Sequence, residues 1–222
     1  GFERLIQEYS RRGEAGQVLR TRLQFGNYLK DKGRFAAMLE NVMQLGQLYL
    51  QNRIFAKAMT TFLEADTLSA AHRLGNQYTI DKHLAYAAQN AGLDELATQR
   101  YKSAALAARK QSKWTDLLWI MQQQAALAHE TRQYSRAYAI DSAIYRLADS
   151  LNNEGYRTTA MNNLGHAAKY AGRNADAMKF FAGALKDAQK TKDEHLQGQL
   201  YQSLGILNQI EHDYKSALEL LY

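Results

Sequence analysis

The sequence predicts an all-α protein built of antiparallel helix pairs. The clearest pair occupies residues 45–65, where two helix-length halves are joined by a short polar turn. Leu45, Gly46 and Tyr49 share one helical stripe in the first half, and the second half carries another stripe at spacings of three and four: Phe55, Ala58, Phe62 and Ala65. Small residues let two helices approach closely, and aromatic rings fill the space beside them.

The same pattern recurs at intervals of about 40 residues. Leu84 follows Leu45 by 39 positions, and four alanines stand 40 residues apart from one another: Ala97, Ala137, Ala177 and Ala217. The regular copies contain Leu84, Ala85, Ala88, Gly92, Tyr101 and Ala104, then Leu164, Gly165, Ala168, Gly172, Phe181 and Ala184, then Leu204, Gly205 and Tyr214. The copy near 124–144 is degenerate, because Gln124 replaces the leucine and Asp141 stands where a ring is expected. One spacing held over four alanines indicates a repeat.

This order of residues resembles the tetratricopeptide repeat, whose signature runs Leu-Gly-x-x-Tyr, a turn, then Ala-x-x-x-Phe-x-x-Ala. The resemblance implies a right-handed α-solenoid. The chain has no proline, although average usage of about 5% predicts roughly eleven, which favours the 40-residue variety frequent in bacterial signalling proteins. We expect a single array, a fragment of a longer protein, with these approximate repeats: 1–33, 34–72, 73–111, 112–152, 153–192 and a truncated 193–222.

Turn signals predict the helix limits in the first half of the chain. An amphipathic pair is expected at Phe2–Arg12 and Ala15–Lys32, separated at Gly13. The next helix is expected at Phe35–Leu50 and opens the clear repeat. Residues 69–76 are expected to form a tight turn between repeats.

Capping and turn residues also predict the helix limits in the second half of the chain. Ser112 is expected to cap a helix whose broad apolar face begins at Trp114. Residues 151–155, LNNEG, are the most turn-like stretch of the chain and separate the degenerate repeat from a well-formed one. Asp193 is expected to cap the helix that runs from His195.

Composition excludes several classes of function. Hydrophobic residues at 46% and charged residues at 23% indicate a folded chain. No cysteine is present, so disulfide frameworks and thiolate chemistry are excluded. No apolar run reaches the roughly 18 residues of a membrane span, so no membrane insertion is expected. The sequence shows no signal-peptide pattern, which favours a cytoplasmic location but leaves the compartment undetermined.

The net charge of +6 is concentrated at the start of the chain, where residues 1–34 contribute eight basic and four acidic residues, or +4. At helical spacing the basic side chains scatter around at least two faces, which does not favour nucleic-acid binding. They are Arg4, Arg11, Arg12, Arg20, Arg22, Lys30, Lys32 and Arg34.

Metal and catalytic sites have no support in the sequence. No two histidines stand closer than 11 residues, whereas helical zinc motifs use pairs at i and i+4. The histidines are His72, His83, His129, His166, His195 and His212. Acidic groups such as Asp94 with Glu95 are typical of solvated helix surfaces. No phosphate loop or nucleophile elbow occurs, so we expect no enzyme activity, no cofactor and no metal.

The resemblance implies a non-catalytic module that binds a protein or peptide segment in a concave groove, as the scaffolding or sensory part of a larger signalling protein. The alternative is a regulatory receptor for a short signalling peptide. In this family the first helix of each pair lines the groove, and the position two residues before the leucine points into it. Carried onto this sequence, that position is Met43, Lys82, Gln122, Asn162 and Gln202. Further groove candidates are Gln47, Tyr86, His166, Gln89, His129 and Lys169.

Two expectations concern how this array binds. Three consecutive amides, Gln122, Asn162 and Gln202, would hold the backbone of an extended peptide, because each amide offers one acceptor and two donors. The truncated end is expected to leave apolar side chains partly uncovered and to support weak self-association. Those side chains are Leu204, Leu207, Leu218 and Leu221.

Overall fold

The computed structural model describes the backbone of residues 1–219 and the side chains of residues 1–210 and 212. This part of the chain forms eleven α-helices and no strand, which confirms the predicted all-α class. The helices are α1 (Phe2–Arg11), α2 (Ala15–Asp31), α3 (Phe35–Gln51), α4 (Phe55–His72), α5 (Gln77–Asn90), α6 (Asp94–Lys110), α7 (Trp114–Glu130), α8 (Tyr134–Ser150), α9 (Glu154–Tyr170), α10 (Asn174–Lys190) and α11 (Glu194–Glu219). None of the described helices is both long enough and apolar enough to cross a membrane.

The chain divides into two compact units, Gly1–Trp114 and Thr115–Tyr222. In the first unit each helix from α1 to α5 contacts the helix that follows it, and the core centres on Leu39, Phe62 and Leu84. In the second unit α8, α9, α10 and α11 contact one another in sequence, and the core centres on Phe181. Burial between consecutive helices, as opposed to one shared centre, is the packing of repeat proteins.

Most helices are followed, two residues after their last helical residue, by a residue with left-handed backbone conformation. Gly92 (φ 77°) and Gly172 (φ 71°) adopt it without a steric cost, since glycine has no Cβ. Ser112 adopts it too, with a φ of 54°, so the prediction that Ser112 caps the next helix is wrong. Because Ser112 is the second residue after α6 and Lys113 the third, Lys113 is the residue that directly precedes α7.

Two predicted turns are shorter than expected. Helix α4 continues to His72, so the turn predicted at 69–76 occupies only residues 73–76. Ser69 is helical and buried there, and its hydroxyl donates to the carbonyl of Gly75. The turn predicted at 151–155 ends at Asn153, which caps α9 by accepting from the backbone N–H of Tyr156 at 3.3 Å.

The predicted cap Asp193 is confirmed, since its Oδ1 accepts from the backbone N–H of Leu196 at 3.0 Å. The helix it caps differs from the prediction, because α11 runs unbroken to Glu219 where a turn and a second helix were expected.

Of the two apolar side chains at this end that the structure describes, Leu204 is partly uncovered as predicted and Leu207 is not. Leu207 is fully buried and Leu204 is half-buried, because both pack on the core of the second unit. The side chains of Leu218, Ala217 and Tyr214, and all of Leu221, lie outside the described residues.

Candidate functional site

In the first unit the predicted groove positions occupy different environments. Met43 is only 8% exposed and belongs to the core, so it does not present a groove surface. Lys82, Tyr86 and Gln89 are half-buried on α5, and the Gln89 side-chain oxygen accepts from the hydroxyl of buried Tyr101 at 2.9 Å. The remaining position, Gln47, is exposed and its amide nitrogen lies 3.4 Å from His83 Nε2.

The first unit also contains a buried polar network that the sequence did not reveal. Asp81 is buried and accepts from Arg100 Nη1 at 2.8 Å and from Ser103 Oγ at 2.6 Å. Arg100 also donates to Asp66 on α4 at 2.7 Å. A buried carboxylate whose hydrogen bonds are satisfied fixes the helices that supply its donors. This network therefore holds α4, α5 and α6 together and does not form an open site.

In the second unit the three predicted amides remain accessible. Gln122 and Asn162 are half-buried, and Gln202 is exposed. Gln122 borders an open hollow of about 380 Å³, together with the start of α9 and the start of α11. The other lining residues are Asn153, Gly155, Tyr156, Thr158, Thr159, Thr191, Asp193 and Leu196.

A larger cavity, here called the tyrosine cavity, lies where the end of α7, the start of α8 and the end of α9 meet. Its volume is about 690 Å³. It is lined by His129, Tyr134, Ser135, Tyr138, His166, Ala167, Tyr170, Ala171 and Arg173. Two predicted groove residues, His129 and His166, are thus brought together in one cavity. The third predicted residue of this region, Lys169, has its Nζ 5.9 Å from the centroid of the Tyr170 ring.

The sequence prediction missed the tyrosines and the arginine of this cavity. Tyr134 is 61% exposed and Tyr170 is 83% exposed, which is unusual for side chains of this size. The guanidinium of Arg173 lies over the Tyr138 ring, 5.3 Å from its centroid. Tyr134 and Arg173 each stand at the boundary of a second helix, outside the first-helix positions that the groove prediction considered.

The His129 ring contacts a buried carboxylate. Its Nε2 lies 3.1 Å from Asp141 Oδ2, and the side-chain amide of Asn163 donates to Asp141 Oδ1 at 3.1 Å. Burial raises the pKa of the Asp141 carboxyl, although the hydrogen bonds from Asn163 and His129 and the charge of His129 oppose that shift. Asp141 is the residue that replaces the expected ring, so the degenerate repeat exchanges a ring contact for a polar link between α7, α8 and α9.

His166 contributes a neutral ring to the same cavity. It packs edge-on against buried Phe181, with ring centroids 5.0 Å apart and an interplanar angle of 74°. Burial lowers the pKa of His166, and the positive charges of Lys169 and His129 lower it further. At neutral pH His166 is therefore uncharged and can offer one hydrogen-bond donor and one acceptor.

The arrangement combines aromatic faces, hydrogen-bonding groups and one fixed cation. Cavities of about 300–1,000 Å³ with mostly apolar walls and a few polar groups are typical ligand sites. Among the described residues no group of three or more metal-ligating side chains is found. The volume and the lining of the tyrosine cavity fall within the range of such sites.

Known proteins resemble this chain in structure but not in sequence. No family model matches it, and no curated protein matches it. BtubC from P. vanneervenii aligns with a TM-score of 0.67 at 19% identity, over 99% of this chain and 87% of that protein. The structure of nearly identical TPR-like repeats from a P. anserina kinesin light chain aligns with a TM-score of 0.70 at 16% identity, over 86% of this chain and 95% of the chain in that structure.

The apo form of the quorum sensor NprR from B. thuringiensis also has this fold. It aligns with a TM-score of 0.63 at 15% identity, over 92% of this chain and 63% of NprR. Together with the helix pairs and the 40-residue period, these similarities show that the chain has the fold of tetratricopeptide-repeat proteins.

Proposed function

We propose that this chain is a non-catalytic interaction module that binds a segment of a partner protein along its first helices. The tyrosine cavity is the first argument for the proposal. It opens beside α9, the helix that also supplies Asn162, and it has the size and the mixed aromatic and polar walls of a recognition site. The fold supports the same reading, since arrays of this type present extended binding surfaces.

The predicted amides supply a second argument. Gln122, Asn162 and Gln202 stand at 40-residue intervals on α7, α9 and α11, and none of the three is buried. An amide can donate to a peptide carbonyl and accept from a peptide N–H, so such side chains hold an extended backbone with little dependence on its sequence. Each hydrogen bond would contribute about 0.5–1.5 kcal/mol.

The test begins with selection of binding segments from a displayed peptide library, with the whole chain as bait. Asn162→Ala is then expected to weaken binding several-fold in calorimetric titration, because one hydrogen bond is lost, while the melting temperature stays nearly unchanged. The matched controls are Arg146→Ala and Lys186→Ala, which remove exposed side chains on the second helices α8 and α10.

The proposal is wrong if Asn162→Ala and Gln122→Ala both bind every selected segment as the unaltered chain does, while the control substitutions abolish binding.

A regulatory receptor for a short signalling peptide is the second candidate. The fold shared with the quorum sensor NprR favours it. A receptor of this kind would bind a short free peptide as tightly as the same residues inside a longer segment, whereas a scaffold would require the longer segment. Titration with both lengths separates the two functions.

A further inference from the structure

We infer that the tyrosine cavity binds an aromatic side chain of the partner segment together with the carboxylate of an adjacent acidic residue. This inference rests on the proposed function and names the kind of segment that the second unit selects.

The residues that line the cavity favour an aromatic side chain as the bound group. Tyr134, Tyr138 and Tyr170 place three rings around one space, and the His166 ring is already fixed by its contact with Phe181. Aromatic rings pack best against other rings in offset or edge-on arrangements. Tyr134 and Tyr170 are mostly exposed, so a bound ring would remove apolar surface of both from water.

The positive charge of the cavity favours a carboxylate next to that aromatic side chain. Arg173 is the one lining residue with a permanent charge, and no carboxylate among the described residues pairs with it. Lys169 adds a second cation beside Tyr170. The buried carboxylate that contacts the cavity residue His129, Asp141, also accepts a hydrogen bond from Asn163.

A guanidinium forms its strongest hydrogen bonds with carboxylates, and one stacked on a tyrosine ring is held in position to do so. The same cation disfavours a positively charged guest, although three tyrosines alone would suit one.

The dimensions agree with a guest of this kind. A volume of about 690 Å³ exceeds what one aromatic side chain fills, which leaves room for the neighbouring residue and its carboxylate. The cavity also lies on α9, the helix that carries Asn162, so a segment held by that amide could place a side chain here.

The experiment uses three blocked dipeptide amides as probes and the whole chain as receptor. N-acetyl-Phe-Asp-amide contains both features, N-acetyl-Ala-Asp-amide lacks the ring, and N-acetyl-Phe-Lys-amide reverses the charge. Binding is followed by NMR through the ring signals of His129 and His166. We expect Phe-Asp to shift both histidine signals and to bind at least about tenfold more tightly than either of the others, a difference of roughly 1.4 kcal/mol.

Two substitutions test the residues. Arg173→Gln is expected to abolish the preference for Phe-Asp over Phe-Lys, and Tyr170→Ala is expected to weaken both probes that contain a ring. Tyr170 is so exposed that its removal leaves the core intact. The matched controls are Arg146→Gln on α8 and Tyr201→Ala on α11, both exposed and outside the cavity lining.

Equal affinity for the three probes, or variants that bind like their controls, would overturn the inference. If the dipeptides fail to bind but selected segments still depend on Asn162, the inference is wrong and the proposed function stands. If Phe-Asp binds in the cavity but no segment depends on Asn162 or Gln122, the cavity assignment is supported and the groove proposal is wrong.

Discussion

At the scale of single residues, two glycines explain why the clear repeats look alike. A Cβ added to Gly46 would lie 2.5 Å from the Phe62 ring, and one added to Gly165 would lie 2.6 Å from the Phe181 ring. Glycine inside a helix is about 1 kcal/mol less favourable than alanine. The rings that pack directly on these backbones therefore explain why each position is glycine, as the paired stripes of the sequence indicated.

Asp141 allows a pH prediction at the same scale. Its folded-state pKa is raised by burial, so the folded chain holds this proton more readily than the unfolded chain. The contribution of Asp141 to stability is consequently greatest below the ordinary aspartate range and is lost as pH rises through the raised pKa. We expect Asp141→Asn to melt no lower than the unaltered chain at neutral pH, and its advantage to disappear below about pH 4.

Asp187 provides the contrast for that measurement. It is buried too, but it accepts from Arg157 Nε at 2.8 Å, and this hydrogen bond raises the pKa of Arg157 above its usual range. Asp187→Asn removes the charge that Arg157 pairs with, so we expect a lower melting temperature at neutral pH. Thermal melts across the acid and neutral range compare the melting temperatures of the two variants with that of the unaltered chain. Destabilisation by Asp141→Asn equal to that by Asp187→Asn would contradict the prediction.

At the scale of helices, the crossing of α9 and α10 tests the register of the repeat. Ala177 is fully buried at this crossing, together with Phe181. Ala177→Leu is expected to overpack the contact and to lower the free energy of unfolding by about 1–3 kcal/mol. Urea denaturation monitored by helical circular dichroism measures the loss.

Lys179→Leu is the control for that register, because Lys179 is exposed on the same helix two residues away. Its effect should stay within about 0.5 kcal/mol, as is usual for surface substitutions. Small and equal effects from both changes would show that Ala177 does not occupy a close crossing.

At the scale of the whole chain, weak self-association remains a prediction, now with different residues. Among the described side chains of α11, the exposed Ile206 and Ile210 stand one helical turn apart on the same face, whereas Leu207 is buried. Burial of such side chains against a second copy would remove apolar area from water. We expect a monomer–dimer equilibrium at high concentration in analytical ultracentrifugation, and a several-fold weaker one after Ile206→Lys.

The control is Leu106→Lys, which changes an exposed leucine on α6 in the other unit. A chain that remains monomeric at the highest concentration measured, or equal weakening by both substitutions, would contradict the prediction.

The amino-acid sequence by itself determined the helix pairs and most of their limits. Helical periodicity is a local property, so the stripes around Gly46 and Gly165 predicted which faces pack. The turn at Gly13 was predictable because glycine adopts a positive φ without a steric cost. Ser112 was misplaced, since a serine in the left-handed conformation is imposed by the helices that flank it.

Only the tertiary structure decided the polar links and the candidate site. Arg100 reaches Asp66 across 34 positions, and His129 and His166 border one cavity across 37. Such contacts depend on how closely helices from different pairs approach, and no periodicity within one helix records that distance. The tyrosine cavity depends on the same approach: its tyrosine rings come from α8 and α9, and its cation from the residue before α10.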